Sequence, residues 1–425
     1  MRSLLIYTPI VTSKLTYICD FIFRERLGLG YRFVTEDGNY SGSTDDLKLH
    51  YVQMSAEGGT EGMSILDSEY FSDFSRDAIP VFDKDIVFNE GRSSFDLFAS
   101  CFYLLARVEE YGTEERDEHG RFLSSQSILA QKELLEFPII DYWIQILQQA
   151  IESHYNIELQ SPHYTFTSTI DVDHLYAFKH KSIFILLAGI LKDVLSLRFQ
   201  KLKDRSSSDD PYDIFDQLLE WHTSISLTPL FFMLTAERNT YDRSLSPSHS
   251  EFAKRVKQLS KYGLGLHPSY DSNKALFQLI KEKQKLESIA GQPITQSRQH
   301  FLKLKFPTTY QRLIQAGVTS DHSMGYPDRL GFRAATSSPF SWYDLEADCA
   351  TELRVHPFCL MDVTLKNYLG LGPSTALAHA HKIITRIKEV NGQCTIIWHN
   401  SSFYAGEGWA GWQEVYLNIL KMSKA

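Results

Sequence analysis

The run from Thr165 to His174, T-F-T-S-T-I-D-V-D-H, constrains the fold more than any other stretch of this chain. Its β-branched and aromatic residues (Thr165, Phe166, Thr167, Thr169, Ile170, Val172) favour an extended backbone, so the segment reads as a strand buried in a sheet. It closes in acid. Asp171 and Asp173 lie two apart, and side chains two apart in a strand project to the same face. Two carboxylates placed that way repel unless a cation or a proton lies between them. The stretch therefore predicts a strand end that holds a divalent metal or a carboxyl of raised pKa. The alternative is a strand that closes in two solvated aspartates.

From about residue 160 a repeat sets in, of short apolar strands that each end in a polar or ionisable residue and are separated by helical patterns. The expected strands are Thr165 to Asp173, Leu230 to Leu234, Gly263 to His267, Thr295 to His300, Thr319 to Ser323, Leu353 to Leu360 and Thr395 to His399. Helices are expected over Ser250 to Tyr262, Asn273 to Ala290, Pro307 to Ala316 and Ser374 to Val390. Such units, with reactive side chains at the carboxyl ends of strands, describe an α/β barrel or an open parallel sheet whose site lies on that edge. The seven strands are one short of an eight-stranded barrel. The connection from about Phe178 to Ser226 is long for such a unit and polar at its centre (D-R-S-S-S-D-D-P), and it reads equally as a lid or a tolerated excursion. Its apolar part, Ile183 to Leu197, is interrupted by Lys192 and Asp193 and falls short of the ~20 residues of a membrane span. A buried or surface-lying helix is expected there.

Residues 1–158 read as a smaller α/β domain that precedes the barrel of 159–425. Strands are expected over Leu4 to Tyr7, Tyr31 to Thr35 and Lys48 to Met54, and helices over Tyr17 to Arg26, Ser94 to Tyr111 (capped by Ser94) and Ile139 to Tyr155. Gly28 and Gly30 precede no phosphate-cradling pattern and read as turn glycines. The opening M-R-S-L-L-I-Y-T-P-I-V has no long apolar core of a secretory signal, so the expectation is a first strand in a cytoplasmic protein. Five cysteines (Cys19, Cys101, Cys349, Cys359, Cys394) form no C-x-x-C pair and no complete disulfide framework, and reduced thiols are expected. A net charge of -9 argues against a nucleic-acid backbone as the main partner.

The strand ends carry the chemistry. His267 in G-L-G-L-H-P-S-Y-D closes one strand, with Asp271 four residues on; Arg298 and His300 in Q-S-R-Q-H close the next; His399 in T-I-I-W-H-N closes the last. Imidazole and carboxylate are the ligands of zinc and similar borderline metals. Over residues 165–425 these motifs, in this order, resemble the NodB-type polysaccharide deacetylases (carbohydrate esterase family 4). The resemblance implies a distorted (β/α)7-type barrel. T-I-D-V-D matches the first motif, which makes Asp171 the catalytic base and Asp173 a metal ligand. H-P-S-Y-D matches the second, with His267 as ligand and Asp271 where the family has a second His. S-R-Q-H-F falls at the third, where Arg298 steadies the base. Asp362 is the candidate acid of the fourth, and I-I-W-H-N gives His399 the general-acid role of the fifth.

The third metal ligand stays open between Asp271 and His300. A divalent ion is implied, zinc by family, while a carboxylate in place of imidazole shifts a site toward harder metals. The implied activity is hydrolysis of an N-acetyl group on a sugar or glycan precursor by metal-activated water. The imperfect second and fourth motifs allow a second reading, a barrel that binds a glycan or protein partner without catalysis. The turn-rich loop Gly325 to Tyr343 offers Arg329, Arg333 and Trp342 as substrate-binding groups, or else as residues that anchor a long loop in the core. Trp409 and Trp412 are expected to be packing residues.

Overall fold

The computed structural model describes residues 3–36, 39, 47–51, 87–88 and 97–424. Near the start of the chain, Leu4, Leu5 and Ile6 are fully buried and form the middle of β1 (Ser3–Tyr7). With β2 (Gly30–Val34), β3 (Leu47–Tyr51) and β4 (Val87–Phe88) it makes an all-parallel sheet of order β2-β1-β3-β4. The expected helix cap at Ser94, and residues 52–54 of the expected third strand, lie outside the described residues. The helix itself runs Leu97–Leu105 and stops where Arg107 enters the left-handed region at φ 55°.

The second sheet contains β5 (Thr165–Val172), β6 (Leu230–Leu234), β7 (Gly263–His267), β8 (Gln296–Ser297), β9 (Ser320–Asp321), β10 (Phe340–Asp344), β11 (Cys349–Val355), β12 (Leu360–Met361) and β13 (Gln393–His399). Their order is β10-β11-β9-β8-β7-β6-β5-β13-β12, and every neighbouring pair is parallel except the hairpin β10/β11. Nine strands thus stand where seven were expected. The run Leu353 to Leu360 divides into two strands around Pro357, which has no N–H for the ladder. The segment read as loop up to Tyr343 supplies β10.

The sheet is curled, and its side-chain contacts require this. Three strand steps separate β5 from β8, roughly 14 Å in a flat sheet and beyond an arginine's reach. Yet Arg298, just after β8, lies 2.7 Å from Asp171 on β5. Amphipathic helices pack outside. Pro373–Glu389, for example, buries Ala376, Ala380, Ile383 and Ile387 at helical spacing.

One continuous apolar core runs through both sheets. Buried polar groups join the two parts of the chain. Glu110 accepts from Arg107 Nε and Arg333 Nε, both at 2.8 Å, and Asp141 accepts from Ser337 N at 2.7 Å and Thr336 Oγ1 at 3.0 Å. The five cysteines are free. No helix among the described residues is long and apolar enough to cross a membrane.

Candidate active site

Alternation along β5 sends Ile170 and Val172 to one face and Thr169 and Asp171 to the other. Asp171 sits opposite His399 of β13 and Phe232 of β6 in the ladder register. A Cβ at Gly265 on β7 would fall 2.4 Å from the Phe232 ring, so only glycine lets that ring lie over the strand. The ring in turn carries the Arg298 guanidinium, 4.4 Å from its centroid. Arg298 is fully buried and donates from Nε to the His322 carbonyl (2.9 Å) and from Nη1 to Thr169 Oγ1 (2.6 Å) and Asp171 Oδ1 (2.7 Å). Burial pulls its pKa down and the Asp171 carboxylate opposes that pull. One oxygen of Asp171 is therefore fixed. The other, Oδ2, lies 4.0 Å from His267 Nε2.

Asp173, His267 and His300 form the one group of three ligand-type side chains found among the described residues, with ligand atoms all within 4.8 Å of one another. Asp173 Oδ1 is 3.2 Å from His267 Nε2 and 3.8 Å from His300 Nε2. Each imidazole is oriented through its far nitrogen. His267 Nδ1 is 2.5 Å from the Arg298 carbonyl, and His300 Nδ1 is 2.7 Å from Asp242 Oδ1. Both Nε2 atoms are thereby left to face Asp173, the arrangement by which neighbouring groups orient metal-binding histidines. Asp173 Oδ1 is buried and is not satisfied by a hydrogen bond, with His267 Nε2 standing 3.2 Å away. A buried carboxylate oxygen without a donor beside two Nε2 atoms fits a divalent cation. Burial pushes the Asp173 carboxyl up, but His300, His267 and His399 hold it well below the usual carboxylate range.

His399 flanks the group from the other side. Its backbone N donates to Asp362 Oδ2 at 2.7 Å, its Nδ1 lies 2.8 Å from Asp362 Oδ1, and its Nε2 lies 3.8 Å from Asp173 Oδ2. Burial opposes the imidazolium, but Asp362, Asp173 and Asp171 raise its pKa to about 10. These groups open on a cleft of about 370 Å³, walled also by Arg121, Tyr212, Phe301, Tyr368, Asn367 and Trp409. The turn after β8 that carries His300 has both Phe301 (φ 60°) and Leu302 (φ 53°) in the left-handed region, a strained conformation of the kind that clusters at functional sites.

The remaining candidates lie elsewhere. Asp271 is half exposed and pairs with Lys274 at 2.7 Å, because the chain after His267 turns outward through a Ser269–Ser272 turn; it is not in the ligand group. Arg333 is buried on Glu110, Trp342 packs against Tyr310 at 5.4 Å, and Arg329 sits half exposed beside Asp328, so none of the three lines the cleft. Trp409, expected only to pack, does line it. Sequence reasoning missed Asp242, Arg121 and Tyr212. For Asp242 the signal was faint, the N-x-x-D turn in which Asn239 Nδ2 donates to Asp242 Oδ2 at 2.6 Å. Tyr212 belongs to the long 178–226 connection, anchored where Asp210 accepts from the backbone N–H groups of Ala177 and Phe178 at 2.7 and 2.8 Å.

Behind Arg298, the fully buried Asp321 accepts from Tyr310 Oη (2.9 Å) and from Ser323 N (2.9 Å) and Oγ (2.8 Å). Burial outweighs those bonds and raises its carboxyl to about 6. Because this exceeds the unfolded value of ~3.9, the native state binds the proton more tightly. The stability it contributes is complete below about pH 4 and is lost as pH rises through about 6, a fall of roughly 2 to 3 kcal/mol. In urea titrations from pH 4 to 7, Asp321→Asn is expected to remove a fall of that size from the wild-type profile; an unchanged profile would assign it to another group.

Residues 4–156 match the profile of a family of unknown function (DUF7033). No curated protein matches the chain. Among solved structures, it is similar to a protein assigned as a polysaccharide deacetylase from Mycobacterium smegmatis, at 13% identity and a TM-score of 0.41, over 61% of this chain and 83% of that one. It is also similar to a polysaccharide deacetylase from Bacillus cereus, at 11% identity and a TM-score of 0.30, over 60% and 85% of the respective chains.

Proposed function

We propose that the protein is a metal-dependent hydrolase that removes an N-acetyl group from a sugar or glycan precursor, with the reacting groups carried by residues 159–425. The observation that supports this is the convergence of Asp173, His267 and His300, with Asp171 held on Arg298 to one side and His399 held on Asp362 to the other. One carboxylate and two imidazoles suit zinc among the divalent ions. Bound there, the ion supplies Lewis acidity, which makes a water acidic near neutral pH and polarises the acyl oxygen.

The chain's own residues do the rest. Asp171 Oδ1 is occupied by Arg298, so Oδ2 is the atom that takes a proton from the attacking water. The hydroxyl adds to the acetamide carbon and the C–N bond breaks. The leaving nitrogen needs a proton, and the His399 imidazolium, kept charged by Asp362, gives it from Nε2. Acetate and a free amine result. Tyr212, Tyr368 and Trp409 offer ring faces for a sugar in the cleft.

Metal analysis and acetate release from N-acetylglucosamine oligosaccharides test the proposal together. His300→Ala is expected to weaken metal affinity by at least about 10- to 100-fold, and Asp271→Ala to leave it unchanged. Loss in Asp271→Ala without loss in His300→Ala would move the third ligand to Asp271. Metal-loaded protein that releases no acetate from any N-acetylated sugar would overturn the hydrolase reading.

A further inference from the structure

Eight of the fifteen large hydrophobic side chains exposed among the described residues lie between Ile183 and Phe199. Such clustering on one short segment is not the scatter of single apolar residues normal for a protein surface. The helix Ile183–Leu195 turns Ile185, Leu186, Gly189 and Asp193 inward, while Phe184 (81% exposed), Leu187, Leu191 and Leu195 (76% exposed) form a stripe at spacings of three and four on the outer face. Leu197 and Phe199, just beyond this helix, are also exposed, at 73% and 68%.

The segment is built rather than frayed. Arg205 of the following helix, Phe199–Arg205, pairs with the buried Asp193 at 2.7 Å and lies over Phe178 at 4.5 Å. A Cβ at Gly189 would fall 2.5 Å from that guanidinium, so the glycine admits it. The same helix is tied to the rim of the cleft by Lys201 to Glu407 (2.7 Å) and Tyr404 Oη to Asp204 (2.6 Å), and Glu407 lines the cleft. The stripe-bearing helix is thus joined, through Asp193 and Arg205, to a helix that is tied to the rim of the cleft.

Charge indicates what covers it. Residues 179–205 carry seven Lys and Arg against two Asp, in a chain whose net charge is -9. Lys181, Lys192, Arg198 and Lys203 of that set are exposed beside the stripe. An apolar face rimmed by cations on an otherwise acidic protein matches an anionic lipid surface, which attracts the rim and accepts the side chains. A second copy of this acidic chain offers a cationic rim of its own, which would repel the first. At 13 residues the helix is about 20 Å long, against a hydrocarbon core of about 30 Å, so it lies in the interface instead of crossing it.

We infer that residues 183–199 form an in-plane anchor that seats the cleft on an anionic membrane. The anchor goes beyond the hydrolase reading and does not need it, because binding is measured without turnover.

The test is flotation of the full chain with phosphatidylcholine vesicles, with and without 30% phosphatidylglycerol. The wild type is expected to float with the anionic vesicles at least about tenfold more than with the neutral ones, with binding weakened by added salt. Phe184→Glu/Leu187→Glu/Leu191→Glu changes only exposed side chains and is expected to stay in the dense fraction, with an unchanged melting temperature. Lys192→Glu/Arg198→Glu/Lys203→Glu keeps the stripe and is expected to lose the preference for anionic lipid. Wild-type protein that stays in the dense fraction with both vesicle types would overturn the anchor. So would a wild-type dimer that the triple glutamate variant dissolves without any change in flotation.

Discussion

Asp171→Asn is expected to lower acetate release by about 10²- to 10⁴-fold, the range that a positioned general base contributes, while metal content stays at the wild-type level. The asparagine keeps the shape and an oxygen for Arg298 Nη1, which sits 2.7 Å from Asp171 Oδ1. It cannot accept a proton at the position of Oδ2. The proposed metal group is Asp173, His267 and His300, so the loss of Asp171 removes none of its three candidate ligands. The substitution also strips the fully buried Arg298 of its directly bonded carboxylate, and a stability loss on the order of 3 kcal/mol is expected with it. Rates are therefore compared per folded, metal-loaded molecule, with folding followed by circular dichroism and metal by elemental analysis. A rate within tenfold of the wild type under those conditions would remove Asp171 from the chemistry. A parallel loss of metal would instead make it a ligand.

What was legible in the sequence is what period-two alternation and strand ends reveal. Asp171 lies in β5 and Asp173 directly follows it, where the alternation of an extended backbone turns both to one side; His267 and His399 close strands whose apolar runs are plain to read, while Arg298 follows the short polar β8. The structure brings Asp171, Asp173, His267 and His399 to one cleft, with Arg298 buried behind Asp171. The choice between Asp271 and His300 was not legible, because it depends on which way a loop turns. The loop after His267 folds on its own serines and on Lys274, while the strained turn after Arg298 keeps His300 against Asp242. Asp242 itself stands on a loop after β6 with no pattern except a local Asn–Asp turn. Arg333 and Trp342 were misplaced for a related reason. A loop rich in arginine and aromatics has the same composition whether it faces a ligand or the interior, and the partner that decides it, Glu110, lies 223 residues away.

That partner carries the second large effect. Glu110→Gln is expected to cost about 3 to 5 kcal/mol of stability in urea denaturation, the penalty for leaving a buried charge without its counter-ion. Glu110, Arg107 and Arg333 are each buried to 1% exposure or less. Burial would raise the Glu110 carboxyl, but the two guanidinium groups hold it below its ordinary value. Its replacement does not strand both cations equally. Arg107 retains Glu109 at 2.6 Å and Tyr326 Oη at 3.0 Å, whereas Arg333 keeps no carboxylate, only the Gly325 carbonyl at 3.3 Å and the rings of Tyr326 and Phe306. The cost therefore falls on Arg333, which belongs to the second sheet's part of the chain, and the ion pair that breaks is one that joins that part to residues 97–156. Arg333→Met separates charge from packing, because it removes the stranded cation and leaves Glu110 paired with Arg107 at 2.8 Å. It is expected to be the milder substitution, and Glu110→Gln/Arg333→Met is expected to recover part of what Glu110→Gln loses. If Arg333→Met proved the costlier change and the double variant recovered nothing, the cluster would be holding the two parts together by the shape of the arginine side chain and not by charge.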